Sequence, residues 1–121
     1  MQKERIAVRC PCMGFISAGL AAFATALERM SADPRCPFEF DYAQKVNTSP
    51  WDFARNQIVD DFLKSDKNYS RLWFIDSDIM PQVNSLQLAF TRADIVAAPY
   101  PIWGKWGPER VQQIQWRVRV G

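Results

Sequence analysis

Apolar and polar positions along this chain switch between two periods, and the switches mark out its elements. Residues 6–10, opening on Ile6-Ala7-Val8, predict a first strand, followed by a loop over 11–14. Ile16, Leu20, Phe23, Leu27 and Met30 then recur at helical spacing on a single stripe. Ser31-Ala32-Asp33-Pro34 ends that helix. Phe38-Glu39-Phe40-Asp41-Tyr42 alternates with period two and predicts a second strand. Thr48-Ser49-Pro50 is a helix start, with Ser49 as N-cap, Pro50 at the first position and Asp52 in the first turn. The helix should run to Lys64, and residues 66–70 form a loop. Leu72-Trp73-Phe74-Ile75 is an unbroken apolar run, the pattern of a strand covered on both faces. Pro81 opens a short helix bearing Val83, Leu86 and Phe90, and residues 94–98 predict another strand. The stretch 99–108, rich in Pro, Gly and Trp, is expected to be a loop. Ile114, Trp116, Val118 and Val120 alternate with polar residues, so the chain finishes in a half-buried strand.

Strand and helix thus alternate. That order predicts a three-layer α/β/α sandwich with a mostly parallel, Rossmann-like sheet. At 121 residues, with no repeat and no linker, residues 1–121 are expected to form one domain. Ligands of such folds sit beyond the carboxyl ends of the strands. The loops at 11–14, 76–78 and 99–101 should meet there.

Composition narrows the chemistry. Hydrophobic content of 48% and charged content of 23% suit a soluble globular protein, and a net charge of +2 is too mild to argue for nucleic acid. No stretch reaches the length and apolarity of a membrane span. Lys3, Arg5 and Arg9 ahead of the apolar stretch 14–27 imitate a signal peptide, down to Ala24-Thr25-Ala26, but Pro11 and Cys12 interrupt the approach and the stretch is helically periodic. Three cysteines without a C-x-x-C pair favour reduced thiols and a cytoplasmic location. The absence of histidine excludes a Ser-His-Asp triad and histidine acid–base catalysis.

Two features carry candidate chemistry. Asp76 and Asp78 follow the apolar strand, and residues two apart in extended chain point the same way. Such a pair can share a divalent metal, Mn²⁺ or Mg²⁺, which hard carboxylates suit. Asp and Ser are also ordinary turn and capping residues, which gives a purely structural alternative. On a wheel of about 100° per residue, Arg55 falls in the arc of Trp51, Ile58, Val59, Phe62 and Leu63, with Phe53, Gln57, Asp60 and Asp61 outside it. A guanidinium there needs an anion, either a phosphate or a carboxylate such as Asp41 or Asp76.

The strings Phe53-Ala54-Arg55-Asn56-Gln57-Ile58-Val59 and Arg71-Leu72-Trp73-Phe74-Ile75-Asp76-Ser77-Asp78-Ile79 resemble nucleotide-sugar glycosyltransferases of the A-type fold, in the branch with an A-R-N helix before a D-x-D-I strand end. Asp94-Ile95-Val96-Ala97-Ala98-Pro99-Tyr100-Pro101 and the opening strand and loop over 6–11 extend the resemblance across residues 5–103. It implies that Asp76 and Asp78 flank a divalent metal, Mn²⁺ or Mg²⁺, with Asp78 as direct ligand and Asp76 near the ribose or the metal shell. That metal would hold the diphosphate of a nucleotide-sugar and neutralise the leaving group. Arg55 and Asn56 match helix residues near the nucleotide and sugar, Pro11 and Cys12 match a loop lining base and ribose, and Ser77 lies between the acids. Tyr100 and Trp103 stand where a sugar ring could stack.

Enzymes of this fold are longer, so the chain corresponds to their N-terminal, donor-binding half. Glu109 is the only carboxylate beyond Trp106 and looks like a loop residue, so no catalytic base is assigned. The expected function is that of a metal-dependent glycosyltransferase, a hexosyl or related transferase. Its partners would be a nucleotide-diphosphate sugar and an acceptor glycan, lipid or protein. One alternative is a non-catalytic nucleotide-sugar binding or interaction module that docks through Trp103, Trp106 and an open final strand, including to another copy of itself. A third is metal-assisted phosphoryl or nucleotidyl transfer, though no Walker-type glycine loop is present.

Overall fold

The computed structural model describes residues 2–46, 51–81, 83–104 and 107–119. Ser49, Pro50 and Trp106 lie outside them, as do the side chains of Trp51, Tyr100, Trp103 and Glu109. In order, the elements are strand β1 (Glu4–Cys12), helix α1 (Ala18–Ala32), β2 (Phe38–Val46), α2 (Trp51–Lys64), β3 (Arg71–Phe74), a 3-10 helix (Val83–Phe90), β4 (Ile95–Gly104) and β5 (Gly107–Arg119). They build a five-stranded sheet in the order β2-β1-β3-β5-β4. β1 runs parallel to both β2 and β3, with Val8 opposite Tyr42 and Trp73, whereas β5 is antiparallel to both its neighbours.

The alternation of β1 assigns each helix to a layer. Ile6, Val8 and Cys10 face one way and pack with Leu20, Phe23 and Leu27 of α1. Ala7 faces the other way, with Leu72 of β3 and Ile58 of α2. The chain is therefore a three-layer α/β/α sandwich of Rossmann-like type, with helices on both faces of the sheet. Trp73 is fully buried, with its ring edge-to-face on Phe23 at 5.8 Å. Burying each large apolar side chain here contributes about 1.5–3 kcal/mol. β3 and the α1 stripe bear out the periodicity.

Several expectations change. The covered stripe of α2 is the buried Ala54 and Ile58 with the half-buried Phe62, while Val59 and Leu63 are exposed and Arg55 lies at the stripe's edge rather than within it. Residues 83–90 are 3-10 rather than α-helical, which eclipses Leu86 with Ala89 over the α1-side core. The expected loop over 99–108 is largely strand: β4 and β5 form a long hairpin with a register shift between Pro101 and Ile102. Pro99 and Pro101 are tolerated because β4 is the edge strand, where a missing N–H breaks fewer ladder bonds. Nor is the final strand wholly unpaired: β5 lies between β4, which pairs with it along most of its length, and β3, which pairs only with residues 117–119.

β2, the opposite edge, is partly covered. Phe40 N–H donates to Ser31 Oγ (2.8 Å) near the end of α1. On the α2 side, Arg9 bonds Asp41 O and stacks on Tyr69, whose hydroxyl donates to Asp41. Burial raises the Tyr69 hydroxyl above its ordinary range, and the bond to Asp41 adds to this. Arg71, only 5% exposed, sits where β3 begins, bonded to Glu4 and to Thr91 O (3.3 Å) over the Phe38 ring.

Candidate functional site

β1 and β3 end side by side, and their carboxyl ends receive the amino terminus of α1. Extended pairing of β3 stops early: the last β1 contact is Ile75 N–H to Arg9 O (3.0 Å), and the chain then turns. Ile79 N–H donates to Asp76 O (3.3 Å), closing a turn over residues 76–79. Ser17 fastens this turn to α1. Its N–H donates to Ser77 O (2.8 Å), its hydroxyl donates to Ile79 O (2.7 Å), and its oxygen caps the helix by accepting from Leu20 N–H (3.0 Å). Met80 follows and lies so close to Gly19 that a Cβ there would stand 2.7 Å from Met80 Cγ.

This geometry changes the reading of the two acids. The rule that residues two apart share a direction holds only in extended chain, and Asp76 and Asp78 occupy a turn. Asp76 is half-buried and Asp78 exposed. Among the described residues no group of three or more His, Cys, Asp or Glu side chains comes together to hold a metal ion. The expected Mn²⁺ or Mg²⁺, with Asp76 and Asp78 as its ligands, is corrected accordingly.

The turn does bring another group within reach. Arg55 Nη2 of α2 contacts Asp76 Oδ1 at 3.1 Å, uniting the A-R-N helix with the strand end across 21 residues of sequence. Side-chain exposures of 44% for Arg55 and 28% for Asp76 keep the pair hydrated and worth about 0–1 kcal/mol. Asn56 is exposed beside Arg55, and Ser77 is half-buried in the turn.

Pro11 and Cys12, expected to line a ligand, are buried beneath the rim. The residues that this loop exposes are Met13, Gly14 and Phe15, the last 82% exposed, with Gly14 at φ 99°, a conformation few other residues adopt. Together with Met80 they give the rim an apolar border. Period-based reasoning missed Met13, Phe15, Ser17 and Gly19. Of these, Ser17 carried a legible signal, a Ser directly before the α1 stripe.

Cys10 lies just under the rim. Burial, then the neighbouring Cys12, and further the charges of Asp76 and Asp78 push its thiol up to about 12, although a hydrogen bond from Tyr42 works the other way. It is a buried, packed thiol held in its protonated form at neutral pH. Burial likewise raises Tyr42.

Comparison with protein-family models, curated proteins and solved structures finds no match to this chain. Its Rossmann-like α/β architecture therefore stands on the geometry alone. No helix among the described residues is long and apolar enough to cross a membrane.

Proposed function

We propose that this chain binds a nucleoside-diphosphate sugar at the carboxyl rim of its parallel strands and is the donor-binding part of a glycosyltransferase. The contact between Arg55 and Asp76 carries this reading, because it joins the two strings that resemble such enzymes at the end of the sheet where Rossmann-like folds bind nucleotides. The guanidinium offers forked donors to a diphosphate, and the Asp76 carboxylate is suited to accept from ribose hydroxyls. Asn56 follows Arg55 and Ser77 and Asp78 follow Asp76 in sequence, and in this reading they supply polar groups for the sugar. The exposed ring of Phe15 and the Met13 side chain provide apolar area for a base, a role that the buried Pro11 and Cys12 fill only from below.

Sugar transfer needs an acceptor as well as this donor. The exposed Met13, Phe15 and Met80 favour a second reading, in which the chain is a non-catalytic donor-binding module whose rim also meets another protein. Thermal melting with a panel of UDP-, GDP-, CDP- and dTDP-sugars tests the shared premise. A bound donor at about 100 times its dissociation constant should add about 2.7 kcal/mol of stability. Release of free nucleoside diphosphate on adding acceptors then identifies a transferase, and binding without turnover identifies a module. A panel in which no donor raises the melting temperature refutes both.

A further inference from the structure

We propose that the opposite, amino end of the sheet carries a second binding site, for a small phosphate-bearing anion. A cavity of about 420 Å³ opens there, lined by Lys3, Glu4, Arg5, Lys67, Asn68 and Ser70. Its volume falls within the range of small-molecule sites, about 300–1,000 Å³. It lies at the starts of β1 and β3, whereas Arg55 and Asp76 meet beyond the end of β3. The site therefore does not rest on the nucleotide-sugar reading.

The charges on its wall are unequal. Lys3, Arg5 and Lys67 are cationic, and Glu4 is the only acid among the lining residues. Glu4 is already engaged by the buried Arg71, so it does not compete for the lining cations. Lys3 Nζ donates to Ser31 O (2.6 Å) and Asp33 O (2.8 Å) at the end of α1, bonds to neutral carbonyls that fix the ammonium without cancelling its charge. Arg5 is held by Lys67 O (3.0 Å) and shares its charge with Glu39 at 3.4 Å, while Lys67 has no ion-pair partner among the described residues. Asn68 adopts the left-handed conformation, φ 59°, at the turn into β3. Ser70 donates to Arg5 O through its N–H (2.9 Å) and its hydroxyl (3.2 Å). The cations are thus mounted on strand starts and a pinned turn, and their excess charge selects a dianion over a neutral ligand.

Amide chemical-shift mapping of the full chain, at ionic strength matched with chloride, tests the site. The probes are inorganic phosphate and glycerol phosphate. The expected result is saturable shifts at residues 2–5 and 67–70, with affinity falling about tenfold in Lys67→Gln, whose exposed side chain folding does not require. Tighter binding of the ester identifies the ligand as a phosphorylated metabolite, and equal binding identifies the free ion. Shifts reproduced by chloride, shifts unchanged in Lys67→Gln, or no saturable shift with either probe overturns the proposal. Rim resonances recorded in the same spectra report separately on the donor site.

Discussion

Gly19 shows how much of the rim depends on single atoms. Gly→Ala within a helix ordinarily stabilises by about 1 kcal/mol. Here the new methyl would meet Met80 Cγ and Cβ at 2.7 and 2.9 Å, so we expect Gly19→Ala to lose about 1 kcal/mol in urea unfolding. Met80→Ala removes Cγ but keeps Cβ, so it should restore only part of that loss in the double variant, and fully additive effects would contradict the contact. Arg71 was not legible as a core residue, because a charge at the start of an apolar run looks like a solvated flank. Its burial follows from Glu4, 67 residues away, which no local pattern reveals. Arg71→Ala should cost about 2–3 kcal/mol, since it strands a half-buried carboxylate; Arg71→Met, which keeps the packing on Phe38, should cost less. Arg55 was misplaced by the wheel for a related reason. Trp51, Val59 and Leu63 drew the arc toward it, yet tertiary contact selects the narrower stripe through Ala54 and Ile58.

At the scale of elements, β1, α1, the start of β2 and β3 were legible because each has one strong period and one clear end. The β4–β5 hairpin was not. Its Pro, Gly and Trp content signals a loop, and only pairing between distant residues such as Ala97 and Trp116 makes it a strand. The acid pair failed for the opposite reason, since the strand rule was extended past the point where the strand stops. Ser17 joins α1 to that turn through two hydrogen bonds and caps the helix with a third, so Ser17→Ala should destabilise by about 1–2 kcal/mol. It should also speed amide exchange over residues 76–80 ahead of the rest of the sheet, which hydrogen-exchange mass spectrometry can read.

For the molecule as a whole, the buried thiol beneath the rim sets a pH response. Folding raises Cys10 from 9.0 to about 12, so the folded state holds a proton that the unfolded chain releases in between. Stability should be unaffected by this group below pH 9 and fall as pH rises toward 12, by at most about 1.4 kcal/mol per pH unit. The raised Tyr42 and Tyr69 add a decline of the same sign at the alkaline end. Cys10→Ala should flatten the first part of that slope in urea titrations at successive pH values. The layered fold was legible from the alternation of elements, and part of the rim from the strand ends, though residues 99–101, expected as one of its loops, lie within β4; its surface chemistry emerged only from the turn that reorients Asp76 and Asp78. Calorimetric titration of the donor panel into wild type, Arg55→Gln and Lys67→Gln bears most directly on the rim as a donor site. The account predicts that one nucleotide-sugar binds wild type and Lys67→Gln alike and binds Arg55→Gln about tenfold more weakly. Equal affinity for wild type and Arg55→Gln, or no binding of any donor, would contradict it.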